Sequence, residues 1–141
     1  MEESMDTIFS KIIKGEIPSA KVFEDEDFLA ILDIRPMIPG HTLLIPKKFF
    51  VNVFDAPEDV AAKIYPTLTK IANAMKTALG CDGVNLIQNN GSAAGQEVFH
   101  AHVHIIPRFN DDGIHFHPTH VSYESPQAMQ ELAAKIAQEF K

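Results

Sequence analysis

Residues 95–108 read Gly95-Gln96-Glu97-Val98-Phe99-His100-Ala101-His102-Val103-His104-Ile105-Ile106-Pro107-Arg108. Three histidines recur at every second position, separated by small or branched apolar residues. The β-branched run from Val103 to Ile106 favours a strand over a helix. Successive strand side chains point to opposite faces. The reading therefore puts His100, His102 and His104 on one face and Ala101, Val103 and Ile105 on the other. On a helix the same spacing would splay the rings apart. Pro107 cannot donate to a ladder and is read as the strand's end. Three imidazoles in such a row can hold a metal, form a nucleophile with its partners, or make an ordinary polar face.

The rest of the chain bounds these choices. Its 141 residues fit one domain with a single core, and 45% are hydrophobic against 22% charged, the balance of a globular protein. No apolar run is long enough for a membrane span. Glu2, Glu3 and Asp6 precede any apolar stretch, which is wrong for a secretory leader. A formal net charge of −7 argues against nucleic-acid or anionic-membrane binding. It leaves room for a nucleotide, since backbone N–H groups can cradle a phosphate locally. Cys81 is the one cysteine, so no intrachain disulfide forms, and a cytoplasmic setting is expected.

In chain order, Asp6 to Lys14 reads as a short helix. Asp6 is its N-cap, Ile8, Phe9, Ile12 and Ile13 form its stripe, and Gly15 is its stop. Residues 21–24 and 28–32 read as a hairpin around Asp25-Glu26-Asp27, with Asp33 at the strand end. A Pro/Gly loop then leads into the apolar, β-prone run His41 to Pro46, which puts His41 at the start of a strand. Ala56 to Leu79 has a helical stripe, Val60, Ile64, Leu68, Ile71, Met75 and Leu79, with Pro66 inside predicted to kink or divide it. Val84 to Gln88 is a further strand. Cys81 has no basic neighbour in sequence and is read as structural. Asn89 to Gln96 is a glycine-bearing loop without the Lys-Ser/Thr ending of a P-loop. His115, His117 and His120 fall in an aperiodic stretch read as solvated loop. A last helix begins at Ser125 or Pro126, with Met129, Leu132, Ala133, Ile136 and Phe140 on one face.

His100-Ala101-His102-Val103-His104-Ile105-Ile106, led by Gly95-Gln96, resembles the signature of the histidine triad (HIT) family. Asp6-Thr7-Ile8-Phe9, Gly15-Glu16-Ile17-Pro18 and Pro39-Gly40-His41-Thr42-Leu43-Leu44-Ile45-Pro46-Lys47-Lys48 resemble its Hint branch and bacterial relatives. The resemblance runs from about residue 6 to 108. It implies an α+β fold: a five-stranded antiparallel sheet with a short N-terminal helix, a long central helix and a C-terminal helix. One HIT domain would span residues 1–141, the last part from about 109 being a C-terminal extension. It also implies a homodimer and a purine nucleotide substrate.

By the same resemblance His102 is the nucleophile on an α-phosphate, flanked by His100, His104 and His41, which contact phosphate or pass protons. Asp33 holds the ribose hydroxyls. Ile8, Phe9, Ile12, Ile31 and Ile34 surround the base. Asn89 lies near the phosphate and leaving group, and Gly95, Gln96 and Glu97 form the phosphate-side loop. Glu97 departs from the serine of some Hint members; an ionised carboxylate cannot donate, so only its backbone N–H suits a phosphate. Some bacterial relatives carry Cys-x-x-Cys at the first helix and bind structural zinc with two histidines. Here those positions are Thr7 and Ser10, and Phe49 replaces a histidine. No metal and no cofactor are expected. The activity implied is that of a nucleoside phosphoramidase-type hydrolase. The alternatives are a dinucleoside polyphosphate hydrolase and a nucleotide-binding regulatory module with little turnover.

Overall fold

Strand β2 (Phe28–Leu32) and strand β3 (Thr42–Pro46) are the most apolar segments of the chain and are buried on both faces through most of their length. Seven of their positions serve one of two cores. Phe28, Ala30 and Leu44 pack to one side with Val103 and Ile105, while Leu29, Ile31, Leu43 and Ile45 pack to the other with Phe9 and Ile12. This period of two is what a sheet covered on both faces requires. The computed structural model describes residues 6–140. Glu2 and Glu3, read above against a leader, lie outside the described residues.

Strand β1 (Lys21–Glu24) joins β2 as the expected hairpin. Asp25 Oδ1 closes its turn by accepting the N–H groups of Asp27 (2.9 Å) and Phe28 (2.8 Å). With strand β4 (Gly83–Ile87) and strand β5 (Val103–Arg108), the five form one antiparallel sheet in the order β1-β2-β3-β5-β4. Helix α1 (Ile8–Ile13) covers one face. Helix α2 (Glu58–Leu79) covers the other through Val60, Leu68, Ile71 and Met75, with Cys81 in the same core. Helix α3 (Pro126–Ala137) follows, its N-terminus capped by Ser125, whose hydroxyl accepts from Ala128 N–H at 3.0 Å. No helix among the described residues is long and apolar enough to cross a membrane.

Several sequence expectations need correction. The N-cap of α1 is Thr7, not Asp6, because Thr7 and Ser10 satisfy each other in a reciprocal capping box. Helix α2 is not divided at Pro66. That proline lies on the solvent side, as does Ala62, so the carbonyl deprived of a partner faces water. The ladder of β5 begins at Val103, after His100 and His102. It also runs through Pro107. Arg108 O accepts from Asp82 N–H at 2.8 Å on the β4 side, so position 107 turns its nitrogen toward β3, whose pairing has already ended at Thr42–Ile105. Gly40 allows this close approach. Its φ is +102°, and a Cβ there would stand 2.9 Å from Leu79 Cδ1 and 3.1 Å from Pro107 Cγ.

Candidate functional site

A cleft of about 800 Å³ opens on the α1 side of the sheet. The size suits a small ligand. Helix α1 supplies Ile8, Phe9 and Ile12 as one wall, and β2 and its end supply Ile31, Asp33 and Ile34. His41, His102 and His104 meet at its floor, with Asn89, Gly95 and Glu97 opposite. Gly95 holds φ +94°, and a Cβ there would meet the Asn89 amide at 3.7 Å, so the loop wraps closely on Asn89.

Main-chain groups that can only donate or only accept fix the proton on three of the rings, and His41 fixes it on the fourth. Met37 N–H donates to His41 Nδ1 at 3.1 Å, so in neutral His41 the proton sits on Nε2. That Nε2–H donates to His104 Nδ1 at 2.9 Å, which puts the His104 proton on Nε2. His102 Nδ1 lies 2.8 Å from the His100 carbonyl, an acceptor only, so Nδ1 carries the hydrogen and Nε2 keeps a free lone pair. His100 Nε2 likewise donates to Pro46 O at 2.9 Å, leaving Nδ1 to accept from the Thr7 hydroxyl at 3.1 Å. Four imidazoles thus have four determined tautomers, of which one exposes a nucleophilic nitrogen to the cleft.

Electrostatics agree with neutral rings. Burial pushes His41, His100 and His102 below the usual imidazole range. Burial, then the neighbouring His102 and His41, push His104 down to about 4. Asp33 pulls His41 the other way, its Oδ2 lying 3.6 Å from Nε2. That carboxylate is otherwise anchored by Arg35 N–H, which donates to Oδ1 at 2.9 Å.

Two expected ligand contacts lie elsewhere. His100 is 1% exposed and does not line the cleft, so it cannot touch a phosphate there. It lies beneath His102, its ring met edge-on by Phe9 and Phe49. Gln96 is also buried behind the loop. Its Oε1 accepts from Asn52 Nδ2 (3.0 Å) and Gly91 N–H (2.8 Å), and its Nε2 donates to Val51 O (2.8 Å) and Val98 O (3.1 Å). With every amide position engaged, it ties the loop to residues 51–52 instead of facing a ligand. Ile34 does border the cleft, but at its rim, 89% exposed.

Sequence reasoning passed over Met37, whose N–H sets the His41 tautomer, and Phe116, which borders the cleft from beyond β5. Arg108 bonds Asp112, Asn85 Oδ1 (2.7 Å) and Ile114 O (2.6 Å), and its guanidinium sits 5.5 Å from the Phe116 ring centroid. The Pro-Arg ending of the triad strand was the available signal for this clamp. His115, His117 and His120 are exposed, as a solvated loop requires.

The metal question can be tested on donor chemistry. Asp33, His41 and His104 each bring a ligand atom within 4.8 Å of the others. His41 Nε2, however, carries its proton because Met37 N–H occupies Nδ1, so a metal there would turn two N–H donors on each other. Nor does the first-helix set fit. The Thr7 and Ser10 hydroxyls are engaged in the cap and with His100, and Phe49 offers no ligand atom.

Comparison with known proteins gives a consistent result. The family model described as "HIT domain" matches residues 14–111. The chain is 45% identical over 132 residues to a Bacillus subtilis protein named "Protein hit", covering 92% of this chain and 91% of that one. It is 38% identical over 136 residues to a Schizosaccharomyces pombe protein named adenosine 5'-monophosphoramidase hnt1, covering 94% and 99%. Identity is 46% over 107 residues to an Arabidopsis thaliana protein named adenylylsulfatase HINT3, covering 76% of this chain and 54% of that one. A crystal structure of a Bacillus subtilis HIT-family member superposes with a TM-score of 0.86 at 41% identity, over 96% of this chain and 98% of the other.

Proposed function

Because the chain belongs to the HIT-domain family, we propose that it hydrolyses conjugates of AMP, purine nucleoside phosphoramidates first among them, at the α-phosphate. One observation carries this reading. The 2.8 Å bond from His102 Nδ1 to the His100 carbonyl leaves Nε2 unprotonated beside a nucleotide-sized cleft. Relatives named for phosphoramidase and adenylylsulfatase activity support it; both names describe an AMP unit joined to a different leaving group.

In the proposed reaction His102 Nε2 forms a bond to phosphorus while the bond from phosphorus to the leaving amine breaks. The amine departs with a proton from solvent. Water then attacks phosphorus, the Nε2 electron pair returns to His102, and the water's second proton goes to solvent. The net change is one water consumed, with AMP and the free amine released. Splitting one displacement into two is the gain of covalent catalysis. His104 Nε2–H is available as a donor to developing phosphoryl charge. The Glu97 N–H serves the same end, while the Gly95 N–H closes the loop on Ser92 O at 3.0 Å. Asp33 accepts the ribose hydroxyls and the isoleucines with Phe9 hold the base.

Residues 1–141 act as one domain in this reading, and two chains pair as a homodimer. β4 forms one edge of the sheet, with Leu86 exposed, and α3 presents Met129, Leu132 and Ile136 to solvent in the single chain. A cytoplasmic setting suits the lone buried thiol, Cys81. The test is a side-by-side panel of adenosine phosphoramidate, adenylyl sulfate and diadenosine polyphosphates. Fastest turnover of the phosphoramidate supports the reading. Preference for the dinucleotides makes the protein a polyphosphate hydrolase, and binding without turnover makes it a regulatory module.

A further inference from the structure

The carbonyl that orients His102 belongs to a residue outside the sheet. His100 precedes the ladder of β5, and its neighbour Ala101 is tied by its N–H to Phe50 O at 2.8 Å. What fixes His100 is its own side chain. The ring is packed edge-on against Phe9 (6.0 Å) and Phe49 (5.3 Å), and each nitrogen has one partner. Pro46 O takes the Nε2–H, and Thr7 Oγ1 faces Nδ1 at 3.1 Å. Since Nδ1 is the acceptor, the Thr7 hydroxyl must be the donor. The same oxygen accepts from Ser10 N–H at 3.1 Å, so the hydroxyl donates to the ring while it caps the helix.

We propose that Thr7 is a positioning residue for the triad. Its hydroxyl donates to Nδ1 of the ring whose Nε2–H tautomer Pro46 O sets, and so holds the ring's orientation and with it the His100 carbonyl that aligns His102. It makes no contact with the cleft and acts through His100. Because Thr7 also caps α1, the helix that carries Ile8, Phe9 and Ile12 is fastened to the nucleophile by one hydroxyl. This deepens the proposed function and rests on it for its kinetic consequence, while the geometry of His100 can be read without any substrate.

Four proteins test it: wild type, Thr7→Val, Thr7→Ser and Ser10→Ala. Loss of one hydrogen bond to a buried ring corresponds to about tenfold in rate. Thr7→Val should lower kcat for the phosphoramidate about tenfold, with KM changed less than twofold. Thr7→Ser keeps the hydroxyl and should return kcat to within about twofold of wild type. Ser10→Ala weakens the capping box but leaves the Thr7 hydroxyl, so it should lower the melting temperature while retaining kcat. Nitrogen NMR of the imidazoles should find His100 as the Nε2–H tautomer in wild type and Thr7→Ser, and altered at Nδ1 in Thr7→Val. Unchanged kcat in Thr7→Val would overturn the proposal, as would equal kcat losses in Thr7→Val and Ser10→Ala. If wild type turns over none of the substrates, the function above fails, and the His100 nitrogen signals alone decide the role of Thr7: no change at Nδ1 in Thr7→Val refutes it.

Discussion

His41 Nε2 stands 2.9 Å from His104 Nδ1, and Met37 N–H reaches the opposite nitrogen of His41 at 3.1 Å. A main-chain donor thereby decides, two rings away, that His104 carries its hydrogen on Nε2. Protonating His41 would set a second N–H against Met37 N–H. The relay is therefore built for neutral imidazoles, and acid should damage it.

All four site histidines have folded pKa values below the ordinary 6.5. The unfolded chain thus binds protons first as pH falls. Stability should be complete above about 6.5 and decline steadily toward about 4, where His104 titrates. Urea midpoints at pH 7.5, 6.0 and 5.0 should fall in that order. The acid limb of kcat/KM should lie below 6.5, where His102 takes a proton. A flat midpoint across that window would contradict the burial argument.

Asp33→Ala should weaken AMP binding by tenfold to a hundredfold. The figure follows from roughly 1.5–3 kcal/mol for hydrogen bonds to a charged acceptor. The melting temperature should move little, since the carboxylate's other partners are Arg35 N–H and the rim of His41. Calorimetric titration with AMP measures it; an unchanged Kd would remove Asp33 from the pocket.

Gln96→Ala separates two roles for one residue. If the amide ties the loop, its loss leaves Asn52 Nδ2, Gly91 N–H, Val51 O and Val98 O without a partner. Stability should then drop by roughly 2–3 kcal/mol in chemical denaturation. A variant of full stability whose only defect is weak phosphate binding would restore the ligand role that the motif suggests.

These two residues also mark how far the sequence could be read. Near-continuous apolar, β-prone runs located β2 to the residue and β3 to within one, the reading having begun that strand at His41; both strands lie between two cores, and local composition follows burial. His102, His104, His41 and Asp33 were reachable by motif, and they share the cleft. His100 was misplaced because spacing records the period of a strand but not where its ladder starts. Gln96 was misplaced because a glutamine beside a glycine loop reads the same whether its amide faces in or out. Met37 was invisible, since it acts through a backbone N–H that every residue but proline possesses.

Assembly is measurable directly. Light scattering at micromolar concentration should give about twice the 15.6 kDa chain mass. Closed two-fold pairing is the commonest soluble assembly, and the exposed β4 edge and α3 face would be its natural surfaces. A single species at the chain mass would contradict the homodimer.

The proposed catalysis requires that His102 Nε2 become bonded to phosphorus. Rapid mixing with substrate, a mildly alkaline quench to spare the acid-labile N–P bond, and peptide mass spectrometry test it most directly. A nucleotidyl group should appear on His102, and His102→Ala should show no adduct and no turnover, with nucleotide binding kept by Asp33 and the apolar wall. Label on His104 or His100, or near-normal turnover in His102→Ala, would contradict it.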